Sequence, residues 1–350
     1  MTRPETKNSP AAPFLALGMA FAVLACGGAG SPGSGAPGGA GAEQGSTPEA
    51  AVKQPAAEPL PALDQIRANS PDPERPRAEA EARITQARAS LEKSPQSPDA
   101  LAGLAGELYD SGRTEVAQRA YREVLDKHPD HVASLVGLSQ VLRDKGDAAG
   151  AEALVDRALK ANPQSVPALQ TKVEILLDRG DAREAADVAE RGVKANARSH
   201  AMQAALGDAQ RSLGRLPAAI DAYRTAVEIN PQWAPGWIRL GETQAAEGDT
   251  VEGLKALGKA LELNPESYPA YRALARLYAG NGQPDQAVSA WERALRLQPD
   301  RGEAHQGMAE ALLAAGKTDE ARRHAEEAAR LGRDVKPLLE KIVQTGAARS

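Results

Sequence analysis

The sequence predicts an all-α chain, a solenoid of about seven helix–turn–helix units. Three observations carry this. Seven glycines stand 34 residues apart: Gly112, Gly146, Gly180, Gly214, Gly248, Gly282 and Gly316. Small residues recur five positions after each glycine, from Ala117 and Ala151 through Gly253 to Ala321. Prolines recur seventeen positions after most of them, at Pro129, Pro163, Pro231, Pro265 and Pro299. A fixed period of this length marks one supersecondary unit copied along the chain, with its core buried between neighbouring copies.

Each residue type has a physical reason. Glycine permits positive φ in the tight connection between two helices. The small residue lets the second helix approach the first. Large apolar residues eight before the glycine (Leu104, Leu138, Leu206, Leu240, Leu274, Met308) fill the space between units. Proline ends the second helix because it lacks a donor and clashes one turn back. The units run 98–131, 132–165, 166–199, 200–233, 234–267, 268–301 and 302–335.

Pro167, Pro235 and Pro269 fall at the start of first helices, where a missing N–H costs nothing. Asp147, Asp181 and Asp249 follow comb glycines and suit the N-caps of second helices. Before the array, residues 77–97 hold a capping helix, Arg77–Lys93. After it, residues 336–350 supply a second short helix, Pro337–Gln344, and a tail. Solenoid ends need such caps because a terminal unit otherwise exposes its apolar face. Unit three is irregular, with Lys172 and Val173 where Leu-Gly is usual, Gly192 inside a helix, and Ala197 where proline is usual. Unit four follows with Gln203 at a large-apolar position. The junction of units three and four is expected to be the weakest.

The offsets resemble the tetratricopeptide repeat. Unit five carries Trp237, Leu240, Gly241, Gly248, Leu257, Ala260 and Pro265. Unit six carries Tyr271, Leu274, Ala275, Tyr278, Gly282, Ala287, Trp291, Ala294 and Pro299. The resemblance implies a right-handed superhelix that binds a protein or an extended peptide and does no catalysis. It also implies that first helices line a concave groove. The fifth, ninth and twelfth positions of each unit share one helix face. There the early units place Tyr109, Val136, Gln140, Arg143, Glu174 and Leu177. The later units place Asp208, Arg211, Ile238, Glu242, Arg272, Arg276 and Glu310. Arg272 and Arg276 form the basic pair, expected to hold an acidic group of a bound segment. Chaperone-binding relatives use a lysine–asparagine clamp, and these positions hold neither residue.

Residues 1–25 differ in composition. Arg3 and Lys7 precede Ala11–Ala25, a 15-residue stretch of small or apolar residues. This is short for a membrane span and suits a secretory signal. Its end, Val23-Leu24-Ala25-Cys26-Gly27, resembles a bacterial lipoprotein signal. The resemblance implies acylation of Cys26, the one cysteine in the chain, and a membrane anchor. Gly27 and Gly28 follow it in place of Asp, which by the same resemblance implies the outer membrane, facing the periplasm. The alternative is a signal peptide that ends near a free cysteine. Residues 26–76 read as a disordered Gly/Ala/Pro-rich tether, reaching about 35–42 Å on average.

Net charge is −5, which argues against nucleic acid as partner. Gly253–Ala260 matches a phosphate-binding loop except that Ala260 replaces Ser/Thr, and it falls within a helix. His128 and His131 straddle Pro129 without a third ligand at a recognisable spacing. His200, His305 and His324 stand apart and read as helix-surface or interface residues. The sequence therefore points to no cofactor, no metal and no catalytic constellation. Its resemblance to repeat lipoproteins, among them pilotins and cell-wall factors, implies a tethered scaffold that assists an envelope assembly. The alternatives are an accessory subunit of an envelope enzyme, or a self-associating structural protein.

Overall fold

The computed structural model describes residues 75–347. The expected signal, Cys26 and nearly all of the expected tether lie outside the described residues. Among the described residues there are sixteen helices and no strand. The array is preceded by α1 (Arg75–Lys93). Units one to three hold α2 (Pro98–Asp110) with α3 (Thr114–Lys127), α4 (Val132–Asp144) with α5 (Ala148–Ala161), and α6 (Val166–Arg179) with α7 (Ala182–Ala195). Unit four holds α8 (His200–Ser212) and α9 (Leu216–Ile229); unit five holds α10 (Ala234–Glu247) and α11 (Thr250–Leu263). Unit six holds α12 (Tyr268–Gly280) and α13 (Pro284–Leu297); unit seven holds α14 (Gly302–Ala314) and α15 (Thr318–Arg330). The last helix is α16 (Lys336–Ala347). Each helix packs on its successor in the chain, which is an α-solenoid.

The glycine comb does what its spacing requires. All seven comb glycines have φ between 70° and 99°, a conformation that costs other L-residues strain. The small residues five positions later are fully buried from Ala117 to Ala321, except Gly253, which is buried too. Between units, Tyr121 of α3 lies against Gly137 of α4, and Trp291 of α13 against Gly307 of α14. Within unit four, Tyr223 of α9 lies against Gly207 of α8. These contacts place whole rings where a methyl group would otherwise stand, so backbone approach and aromatic burial are one feature.

Several expectations need correction. The first helix begins at Arg75, two residues early, with Pro76 in its first turn, where proline is tolerated. The last helix runs beyond both expected ends. Its Ile342 is fully buried and Leu338 and Leu339 pack on the core, whereas Val343 is exposed, so only part of its apolar surface is docked. Asp181 makes no side-chain cap for α7; the Arg179 guanidinium holds its carboxylate instead. Asp147 and Asp249 do cap, accepting from Gly150 N–H (2.9 Å) and Glu252 N–H (3.2 Å). Gly192 is no gap, because the buried Met202 of α8 fills the place a side chain would take. A cluster containing Leu169, Leu176, Ala189, Met202 and Ala205 joins units three and four.

Lys172, standing where leucine is usual, bonds Glu152 (2.9 Å) and Asp156 (2.7 Å) of the preceding unit. Its stem covers apolar surface while its ammonium stays paired. Gly253 and Ala260 lie buried within α11, where Gly253 faces the Gly241 carbonyl. The phosphate-loop match is thus a close helix contact.

Candidate functional site

Four of the seven first helices are fixed at their N-termini by serine caps, and those of units five and seven have no side-chain cap. Ser97, Ser165, Ser199 and Ser267 each accept from the backbone N–H three residues on. Unit two uses His131 instead. Its Nδ1 accepts from Ser134 N–H (3.4 Å), and its Nε2 meets Asp99 Oδ1 of unit one (2.9 Å). His131 is therefore a cap and a cross-unit link, while the weighed partner His128 ends α3.

The predicted groove residues divide into two groups. Val136 and Ile238 are buried, and Leu177 packs against the core, so the apolar members mostly serve packing. Most of the polar members form cross-unit pairs. Tyr109 donates to Asp144 of the next unit. Arg143 donates to Glu174 and lies 3.4 Å from Asp178. Asp208 accepts from Tyr223 Oη (2.6 Å) and lies 3.6 Å from Arg239. Arg272 reaches Glu242 at 3.4 Å and Glu303 at 3.9 Å, and Arg276 pairs with Glu303. Glu310 accepts from Gln306 (3.1 Å). Arg211 is exposed near Tyr223 and Asp208 and makes no ion pair among the described residues.

Two clefts open along this face. One, of about 730 Å³, lies over units one to three. Its floor is small, with Ala102, Gly103, Ala133, Val136 and Gly137, and its rim carries Asp99, Asp130, His131 and Gln140. The other, of about 350 Å³, lies at units six and seven, between Arg276, Glu303, Gln306, Glu310 and Arg333. Of the predicted residues, Val136 and Gln140 line the first, and Arg276 and Glu310 the second. Tyr109, Arg143, Glu174, Leu177, Asp208, Arg211, Ile238, Glu242 and Arg272 line neither.

The electrostatics are those of a paired surface. Burial and the Asp144 bond push the Tyr109 phenol up to about 12, and burial pushes Tyr121 up to about 12 as well. Both therefore stay neutral, and Tyr109 serves as a hydrogen-bond donor. Burial opposes the charge on Arg143, but bonding to Glu174 outweighs it and holds the guanidinium charged. Among the described residues no group of three His, Cys, Asp or Glu side chains gathers around one point.

Comparison with known proteins agrees with this architecture. Sequence profiles of the tetratricopeptide repeat match residues 103–166 and 171–232, and residues 244–290 and 279–342. No curated protein matches the chain. Among solved structures, it is similar to a chain of the APC/C hetero-tetramer Cut9-Hcn1, with 16% identity and a TM-score of 0.66. That match covers 80% of this chain and 58% of the other, so this chain spans under two thirds of the other's length. It is also similar to a tetratricopeptide repeat protein from Parabacteroides merdae (16% identity, TM-score 0.53, covering 71% and 98%). A thermophilic repeat protein from Thermus thermophilus is 27% identical, with a TM-score of 0.47, over 52% of this chain and 99% of that one. With the repeat profiles matching well over half its residues, this chain belongs to the tetratricopeptide repeat family.

Proposed function

We propose that the protein is a membrane-tethered scaffold that holds an extended segment of an envelope protein along its concave face and so assists an assembly there. The cleft over units one to three supports this most directly. Its floor at Gly103 and Ala133 has room for a partner's side chains, and Asp99 and Asp130 rim it with exposed carboxylates. Polar atoms at intervals along a small-residue floor suit an extended main chain. The cross-unit pairs give a further reason. Arg272 is held loosely between two carboxylates, and its buried Nε has no partner. A carboxylate of a bound segment meets an arginine that is able to re-aim.

Anchoring rests on the sequence around Cys26. Acylation there would place the array at a membrane on a long leash, facing the periplasm from the outer membrane. The fold itself is that of a family of protein-binding scaffolds.

One experiment tests the groove. Photo-crosslinkers placed at Gln140 and Arg211 are used in envelope preparations, with wild type and two variants compared. Ala133→Trp fills the first cleft from an exposed position, and Arg272→Ala plus Arg276→Ala removes the basic pair. The same crosslinked species must weaken at least tenfold in Ala133→Trp. Crosslinking that ignores both variants removes the concave face from the account. Palmitate labelling of wild type and Cys26→Ser separately tests the anchor.

A further inference from the structure

The cleft over units one to three is unbalanced in charge. Its lining holds the carboxylates of Asp99 and Asp130 and no Lys or Arg. Both carboxylates are largely exposed, at 86% and 78%. His131 donates from Nε2 to Asp99 Oδ1 (2.9 Å), and Asp99 Oδ2 accepts nothing among the described residues. Asp130 accepts no hydrogen bond there either. The Arg157 guanidinium, bonded to the Pro129 carbonyl, stands 3.7 Å from Asp130 Oδ1. The cleft at units six and seven is different, because its arginines are already met: Arg276 by Glu303, and Arg333 by Gln306.

The first cleft also holds a polar group without a partner. Tyr121 lines it and is only 5% exposed. Its hydroxyl stands beside both Gly106 of α2 and Gly137 of α4, so neither position puts a side chain over it. Among the described residues this hydroxyl makes no hydrogen bond. Burial keeps the phenol neutral, so it retains a hydrogen to donate. Gln140 lines the same cleft, and its carboxamide, also unbonded among the described residues, offers a donor and an acceptor together.

We propose that this cleft selects a basic extended segment of a partner protein, with a lysine or arginine side chain seated between Asp99 and Asp130 and a neighbouring main-chain carbonyl accepting from Tyr121. The inference rests on the reading of the concave face as a groove for an extended segment, and it adds what that segment must carry. The stem of the basic side chain lies along Ala102 and Val132, as long cationic side chains do on apolar surface. At Gly103 no atom stands within 4 Å of where a side chain would begin, so a partner's main chain can come close. Gln140 pairs with a peptide unit of the segment. Opposite charge here fixes register and speeds encounter more than it adds affinity. Each exposed ion pair contributes only about 1.4–5-fold.

The test measures fluorescence anisotropy of the full chain with two fluorescein-labelled nonapeptides, one alternating serine with lysine and the other serine with glutamate. The lysine peptide is expected to saturate and to bind at least tenfold more tightly than the glutamate peptide. Asp99→Asn plus Asp130→Asn is expected to weaken the lysine peptide at least threefold, and about 0.5 M NaCl is expected to do the same to the wild type. Glu190→Gln plus Glu228→Gln removes the same net charge at exposed positions of second helices and is expected to match the wild type. Tyr121→Phe keeps the ring and is expected to weaken the lysine peptide at least twofold. Helical dichroism checks that each variant is folded. The proposal is overturned by a lysine peptide that does not saturate, by one that binds no more tightly than the glutamate peptide, or by equal losses in the two double variants. Unchanged binding in Tyr121→Phe overturns it as well. Crosslinking that still weakens in Ala133→Trp beside any of these results keeps the groove in use and removes only its preference for basic segments.

Discussion

Alanine at Gly207 and alanine at Gly192 are chemically the same change inside two helices, yet they are expected to differ in sign or nearly so. Either substitution gains about 1 kcal/mol in helix propensity. At Gly207 the new methyl carbon would stand 2.6, 2.7 and 2.9 Å from three ring atoms of Tyr223. That ring is fully buried, and its hydroxyl donates to Asp208 at 2.6 Å. Restoring ordinary carbon–carbon contact requires the ring to withdraw by about 1 Å. Overpacking of this kind costs about 1–3 kcal/mol. A bond to a carboxylate, if lost as the ring moves, costs about 1.5–3 kcal/mol more. After subtracting the propensity gain, Gly207→Ala should lose up to about 2 kcal/mol with the Asp208 bond kept and about 1.5–5 kcal/mol with it lost.

At Gly192 the colliding atoms are Sδ, Cε and Cγ of Met202. A thioether chain with three rotatable bonds yields more cheaply than a hydrogen-bonded ring. Its repacking should nearly cancel the propensity gain, leaving Gly192→Ala within about 0.5 kcal/mol of wild type. Urea unfolding followed by helical dichroism gives the global comparison. Hydrogen exchange in α8 and α9 locates the loss, since repeat arrays open one unit at a time. Gly207→Ala at wild-type stability, or Gly192→Ala losing as much as Gly207→Ala, refutes the assignment of cost to neighbour stiffness.

Two further predictions concern charges. Bonding to Lys172 holds the Glu152 carboxyl below the usual carboxylate range. A depressed folded value stabilises above the ordinary pKa of about 4.3 and is lost as pH falls through the folded value. Lys172→Met should therefore flatten the decline in stability between about pH 5 and pH 3, with Arg179 retaining part of it; a decline as steep as wild type, followed by thermal unfolding across that range, counts against the pair. Asp147→Ala should cost about 1 kcal/mol because Asp147 caps α5, whereas Asp181→Ala should cost less than half of that; equal losses in parallel urea titrations contradict the cap assignment.

The fold was legible because it is written in backbone constraints that repeat. Gly112 through Gly316 mark turns that need positive φ, and Ala117 through Ala321 mark contacts with no room for more. Such demands act on single residues and leave a trace at a fixed spacing. The groove was legible only as a set of helix faces. Which side chains pair there depends on rotamers and on the rise between units. Arg143 therefore finds Glu174, and Arg276 finds Glu303, at separations of 31 and 27 rather than 34 residues. The burial of Val136 and Ile238 was hidden for a related reason, since a helix face shows period but not how far the neighbouring unit overhangs it. His305 and His324, whose Nδ1 atoms are 3.0 Å apart, gave no signal, because their meeting requires α14 and α15 to be laid side by side first.

Every seam in the array carries at least one charged or polar side-chain bridge except that between units three and four, where no such bridge occurs among the described residues and Met202 and its apolar neighbours do the joining. Greasy joints weaken on cooling and in urea, whereas ionic rungs fade with dissolved electrolyte. That joint is held by apolar contact alone, whereas each of the other five adds ionic or hydrogen-bonded rungs to its apolar contact. Brine should weaken those five and spare this one, and ice-cold solvent should weaken all six.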